Sequence, residues 1–269
     1  MKRRGAKFIV FGVIAVVMVA ERIWPLRKRR EESARHVGRD VVMAMMSTAA
    51  TAAVQSVVLR ASVWGPASAG TPRAEAGGHP RSRTCHPLRV LAQILMLDYT
   101  LWLWHWLNHR VPLLWRFHRV HHVDLDLDAA TGARFHFGEM SLSVFFRLLQ
   151  VSVIRPDPIA LSIWQTMLLC SIFFHHSNTR LPEDVDRAIA RIFVTPRMHG
   201  IHHSTAADET NSNFASLLTI WDAMHGMLRL DVPQDAITIG VPAYQDPEDV
   251  TLDRLITMPL RDTDTDWTA

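Results

Sequence analysis

Residues 98–122 read DYTLWLWHWLNHRVPLLWRFHRVHH, and two patterns are overlaid in them. The first is apolar: Leu88–Leu107, which runs into this stretch, is long enough to span a bilayer, for which about 20 residues suffice. The second is a set of histidines at helical spacing. His105 and His109 form H-x-x-x-H, and His118, His121 and His122 form H-x-x-H-H. Residues three or four apart share one helix face, with Cβ atoms about 5–6 Å apart. Two imidazoles placed so can aim at one cation about 2.0–2.1 Å from each nitrogen. The third histidine of H-x-x-H-H sits about 100° further round the helix, so it can reach a second cation. Ionisable groups such as Asp98 and His105 are costly in an apolar span and mark function there.

Moving outward, the pattern repeats. Twelve of the fifteen histidines fall between 105 and 225. His175 and His176 are adjacent, and His199, His202 and His203 form a second H-x-x-H-H. A lone histidine on an apolar face is ordinarily a hydrogen-bonded core residue, which is the plain reading of His136 and His225. A cluster could also serve as a pH sensor. The two H-x-x-H-H groups and the H-x-x-x-H together supply more imidazoles than one ion can use. Four or five nitrogens at each of two ions is the natural accounting. Two cysteines exclude a disulfide scaffold and a Cys-rich zinc module. No G-x-S-x-G, H-E-x-x-H or G-x-G-x-x-G occurs, so neither a serine hydrolase elbow nor a dinucleotide fold is signalled.

The flanking sequence predicts a membrane protein. Phe8–Ala20 is uncharged and apolar, and reads as a short span rather than a cleaved leader. Val41–Val58 is a second span, and Leu88–Leu107 a third. Met140–Ile154 and Pro158–Phe174, broken at Arg155-Pro-Asp-Pro, read as a helical hairpin of two thin spans or a re-entrant pair. Residues 61–87 are rich in Gly, Pro, Ser and Arg and read as an exposed loop. The predicted organisation is N-terminal transmembrane helices over 1–60, that loop, a catalytic region over 88–230 and an acidic tail over 231–269, read as a solvated cytoplasmic cap.

The charge is polarised, +8 over residues 1–39 and −7 over 231–269, so the net charge of +3 gives no basic face for nucleic acid. Seven Lys/Arg in 21–39 against four before the first span place that loop in the cytoplasm. The histidines then share the cytoplasmic face, expected in a bacterial inner membrane. Trp102, Trp104, Trp106 and Trp115 are expected to form an interfacial belt. Asp98, Glu139, Asn178, Asn213 and Asp222 are candidate partners for the free imidazole N–H groups. The expected fold is an all-α integral membrane bundle with a histidine-rich cytoplasmic cap holding two metals.

The chain resembles the fatty acid hydroxylase/sterol desaturase superfamily. Residues 98–122, with Leu-Trp-Arg-Phe-His at 114–118, look like its first two histidine boxes. Thr131–Glu139 (TGARFHFGE) is similar to its T-x-x-R-F-H-P-x-E segment and Phe174–Pro182 (FHHSNTRLP) to its Q-H-S-N-V-R-L-P segment. Thr195–His203 (TPRMHGIHH) matches its T-P-x-x-H-x-x-H-H box. Glu21–Arg27 and Gly240–Leu255 share the family's look as well. The chain departs from the family pattern at Trp106, Phe137, His225 and Met227. The resemblance implies a di-iron hydroxylase that takes O2 and electrons from a ferredoxin, cytochrome b5-like protein or reductase to oxidise a lipid C–H bond. Carried residue by residue, the implied ligands are His105, His109, His118, His121, His122, His176, His199, His202 and His203, with His136 and His175 beside them. A desaturase with the same centre, or a non-catalytic lipid- or metal-binding membrane protein, is the alternative.

Overall fold

Chain breaks divide the apolar runs into helices. In the computed structural model, which describes residues 3–64, 86–263 and 266–267, α1 spans Arg3–Ile23, α2 Ser33–Trp64, α3 Pro87–Arg110 and α4 Pro112–His122. They are followed by α5 Phe137–Ile154, α6 Pro158–His176, α7 Glu183–Ala190 and α8 Pro196–His202. Short helices α9 (Ala207–Thr210), α10 (Ile220–Met224) and α11 (Leu252–Thr257) lie among turns in the last third. No strand occurs among the described residues. Proline opens α3, α4, α6 and α8, where its missing N–H costs nothing and its fixed φ suits the first turn. The residue before proline avoids the helical region. Val111 is therefore extended, at φ −98° and ψ 114°, and it separates α3 from α4 so that their histidines can turn toward each other.

α2 packs on α5, α1 on α6, and α3 on α4, α5 and α6. Among the described residues, three helices are long and apolar enough to cross a membrane: α2 over Ser33–Val58, α5 and α6. Met45, Val57, Leu149 and Val153 on α2 and α5 point outward and are exposed, a surface suited to lipid. α1 and α3, expected as spans, fall outside that set. The uncharged run of α1 is confined to 8–20, and α3 carries Arg89, Asp98 and His105. The expected hairpin is α5–α6, turned by Arg155 in the left-handed region at φ 48°. α2 runs to Trp64, four residues into the loop expected at 61–87; residues 65–85 lie outside the described residues.

Two expectations are corrected. The acidic tail keeps most of its carboxylates exposed, yet it is not a loose solvated end. Val241, Tyr244, Val250, Leu255 and Met258 pack with Met43, Trp115, Val120, Val123 and Leu125 in one buried cluster. Its carboxylate Asp266 is buried and accepts from Arg119 Nη1 at 2.7 Å and Trp115 Nε1 at 2.8 Å. Nor do the tryptophans form a belt: Trp102 and Trp115 are in the core, each donating to a carboxylate, Asp222 and Asp266. Trp104 stacks on Phe146 and is half-buried.

A buried charged network ties the start of α2 to the strip between α4 and α5. Asp124 accepts from His36 Nε2 at 2.9 Å and Arg39 Nη2 at 3.3 Å, and pairs with Arg134. His36 Nδ1 faces Asp128 at 3.3 Å, and Asp126 accepts from the backbone N–H groups of Arg30 and Glu31. This clamp fixes the segment that leads from the α4 histidines to α5.

Candidate metal centre

Four helices deliver the histidines: α3 brings His105 and His109, α4 brings His118, His121 and His122, α6 brings His176, and α8 with its C-cap brings His199, His202 and His203. They assemble as two groups. In one, ligand atoms of His105, His109, His118, His122 and His202 all lie within 4.8 Å of one another; in the other, those of His121, His176, His199 and His203 do. Sequence neighbours go to different groups. The rings of His121 and His122 stand at 86° to each other, and those of His202 and His203 at 84°. The groups abut where His122 stacks on His203, with centroids 4.3 Å apart.

Proton positions test whether cations fit. The Nδ1 of His105 lies 2.7 Å from Phe214 O, and that of His202 lies 2.8 Å from Ser212 O. A carbonyl can only accept, so both N–H groups sit at Nδ1. Burial pushes His202 down to about 3, so its ring is neutral. The Nε2 atoms of His105 and His202 are nevertheless 3.0 Å apart, two lone pairs facing each other. The second group repeats this. His121 Nδ1 is 3.0 Å from Arg134 O, His176 Nδ1 is 2.8 Å from Ile172 O, and their Nε2 atoms are 3.1 Å apart. Such a contact repels unless a cation sits beside it. Two ligands about 2.1 Å from one ion and at right angles are about 3.0 Å apart, which is the spacing observed. His199 Nε2 joins the second set, 3.0 Å from His176 Nε2 and 3.1 Å from His203 Nε2. The Nε2 atoms of His109, His118 and His122 are buried with no hydrogen-bond partner. Burial and neighbouring imidazoles also hold His121, His122, His199 and His203 well below the usual histidine range. The donor set fits two divalent ions, five nitrogens for one and four for the other.

His175 and His136 do not join either group. His175 is buried with its ring 4.1 Å from that of His199, and its Nδ1 faces Ser171 Oγ at 3.4 Å. His136 caps α5 by accepting from Gly138 N and bonds Ile256 O through Nε2. His225 is exposed and stacked on Trp102.

Among the five polar candidates only Glu139 bonds a histidine, with Oε1 2.9 Å from His118 Nδ1. Asp98 accepts from Trp221 Nε1, Trp164 Nε1 and Leu218 N. Asp222 accepts from Trp102 Nε1, Phe214 N and Ala215 N. Asn178 brackets Arg27 through the backbone N–H and C=O of that residue. Asn213 bonds backbone rather than imidazole: its amide donates to Met198 O and Arg229 O and accepts from Arg229 N. It sits in the left-handed region at φ 54°, a conformation asparagine tolerates better than most residues, between the Ser212 and Phe214 carbonyls that receive His202 and His105. Sequence reasoning missed these acceptors because a carbonyl carries no residue-type signal.

Residues 90–227, from α3 to just past α10, match the family model described as fatty acid hydroxylase. Mouse cholesterol 25-hydroxylase is 32% identical over 142 residues, 52% of this chain and 46% of that protein. The ornithine lipid hydroxylase OlsE of Rhizobium tropici is 27% identical over 154 residues, 57% of this chain and 45% of its own length. Alkylglycerol monooxygenase of Xenopus tropicalis is 30% identical over 132 residues, 49% of this chain and 28% of that protein. The chain thus spans less than half the length of these relatives. No solved structure matches it. With the model covering half the chain and every residue of both histidine groups, the chain belongs to the fatty acid hydroxylase family.

Proposed function

We propose that the protein is a membrane-bound oxygenase that hydroxylates a C–H bond of a lipid, using O2 and electrons from a separate donor. The observation that carries this reading is the facing of deprotonated imidazole nitrogens at 3.0–3.1 Å in two buried groups. The relatives' names supply the substrate class: one acts on cholesterol, one on an ornithine lipid and one on an alkylglycerol. Their shared feature is a long apolar body, which would reach the site from the bilayer along α3.

Two bound ions, expected to be iron, would supply O2 activation and the oxidising power to break an unactivated C–H bond. The chain's own residues do the rest. His105, His109, His118, His122 and His202 would hold one ion, and His121, His176, His199 and His203 the other. The carbonyls of Phe214, Ser212, Arg134 and Ile172 and the carboxylate of Glu139 keep the Nδ1 protons in place, which leaves Nε2 free as the ligand atom. Phe135 stacks on His121 at 4.4 Å, and Phe214 packs edge-on against His105 and His202, excluding water from the imidazoles. Orientation with the site on the cytoplasmic face would let a soluble or peripheral donor reach it.

Lipid extracts of cells with and without the protein test this directly by mass spectrometry. The expected product gains one oxygen atom, disappears without O2, and is absent in His121→Ala and His199→Ala cells. A product lacking two hydrogens instead would make the protein a desaturase. An unchanged lipid profile in a metal-loaded, folded protein would overturn the enzymatic reading.

A further inference from the structure

In the basic run Arg27-Lys28-Arg29-Arg30, Lys28 is exposed to solvent and one buried charge is left without a carboxylate. Arg29 pairs with Glu21 and Asp128, and Arg30 donates to the Gln245 side chain at 2.6 Å and to its carbonyl. Arg27 differs. Its guanidinium lies against α8, so close that a Cβ on Gly200 would stand 1.7 Å from Nη2. Its side-chain acceptors are neutral, Pro196 O at 2.9 Å and Gln234 Oε1 at 2.7 Å, both taken by Nη2. Nε and Nη1 are buried with no acceptor among the described residues. Burial, aggravated by Arg197, pushes this guanidinium down to about 10, with no carboxylate offsetting it. A buried cation without a counter-charge is costly, and orphaned buried donors call for a ligand, water or ion.

Arg27 is also one of the residues lining a cavity of about 340 Å³, together with Lys28, Arg30, Thr238 and Gln245. One carboxylate, Asp126, also lines it, but its oxygens are engaged by the backbone N–H groups of Arg30 and Glu31. We infer that this cavity binds a phosphate-class oxyanion, the headgroup of an anionic phospholipid or free phosphate, through the unpartnered Nε and Nη1 donors of Arg27, which the anion would draw toward it, and the charges of Lys28 and Arg30. A guanidinium fork matches two oxygens of such a group, and basic pockets at the ends of spanning helices take anionic headgroups. The site is separate from the histidines yet adjoins them. Arg27 packs on Gly200, between His199 and His202, and Asn178, which fixes the Arg27 backbone at 2.8 and 2.9 Å, follows His176 by two residues. An anion here would neutralise the cation behind α8 and hold the cap in register.

Titration calorimetry of inorganic phosphate into the full-length protein tests this, in nanodiscs at constant ionic strength with chloride as the competing anion. In phosphatidylcholine nanodiscs phosphate binds at one site per chain. Arg27→Gln abolishes that binding, and the surface variant Lys28→Gln/Arg30→Gln, which leaves buried packing intact, weakens it by about tenfold or more. Repeating the titration in nanodiscs containing phosphatidylglycerol separates the sources: loss of the phosphate signal assigns the site to a lipid headgroup, and its persistence assigns it to soluble phosphate. No binding in phosphatidylcholine, or binding unchanged in the Lys28/Arg30 variant, overturns the proposal.

Discussion

At the residue scale the centre depends on where protons sit. Among the described residues Glu139 is the one carboxylate that bonds a histidine of the two groups, and it fixes the tautomer of His118. Glu139→Gln keeps the shape but can offer an N–H where an acceptor is needed. Metal affinity of the five-histidine group should fall by about 10–100-fold, measured by competition against a chelator, while the four-histidine group is unaffected. Asp222 is a different kind of residue. Burial raises its carboxyl to about 6 against the pull of N–H groups from Trp102, Ala215 and Phe214. A carboxyl raised in the fold binds its proton more tightly there than in the unfolded chain. Its stabilising contribution is therefore full below about pH 4 and is lost as pH rises through about 6. The stability of the wild type relative to Asp222→Asn should fall by about 3 kcal/mol over that window. Denaturation in detergent across pH 4–7 reads it, and a flat difference would refute the buried-carboxylate account. The histidines that assemble into the two groups were legible in sequence because helical spacing constrains them locally. Asp98, Asn178 and Asp222 were misjudged because their partners are tryptophan and backbone N–H groups 7 to 151 residues away or more, a pairing no spacing rule reveals.

At the element scale, the helices are where apolar runs and prolines said they would be, but their connections do the positioning. The hairpin over 140–174 is α5–α6, a little longer at both ends. What was not legible is the clamp from α2 to the Asp124–Arg134 strip. Its sequence trace, Asp124-Leu-Asp126-Leu-Asp128, alternates acidic and apolar residues, yet apart from Arg134 the cations that answer it, Arg29, His36 and Arg39, lie far earlier in the chain. Asp124 is fully buried, and burial alone would raise its carboxyl; Arg134, His36 and Arg39 override that and hold it well below the ordinary range. Asp124→Asn removes the carboxylate that all three share and leaves the buried Arg134 with only the longer contact to Asp40. The expected cost is about 3–5 kcal/mol, measured by chemical denaturation at pH 7, with early loss of the order around His121, whose Nδ1 bonds Arg134 O. A cost below about 1 kcal/mol would mean the network is solvated and does not clamp.

At the scale of the whole molecule, the polarised charge proved informative in a way composition alone concealed. The acidic tail, read as a solvated end, closes the cap instead: its apolar residues are spread among prolines without a helical period, so no pattern marks them, and Arg119 gathers Asp266 and three tail carbonyls around one buried guanidinium. The basic loop runs along the same cap, with Arg30 on Gln245 and Arg35 near Glu248. The membrane helices and this closed cap enclose the two histidine groups between them. The claim that unites these observations is that nine imidazoles hold two ions, five and four. Metal content per chain, by elemental mass spectrometry on the full-length protein purified in detergent, tests it most directly. The account predicts two equivalents in the wild type and about one, with the fold retained, in His199→Ala; fewer than one equivalent in a folded wild type would contradict it.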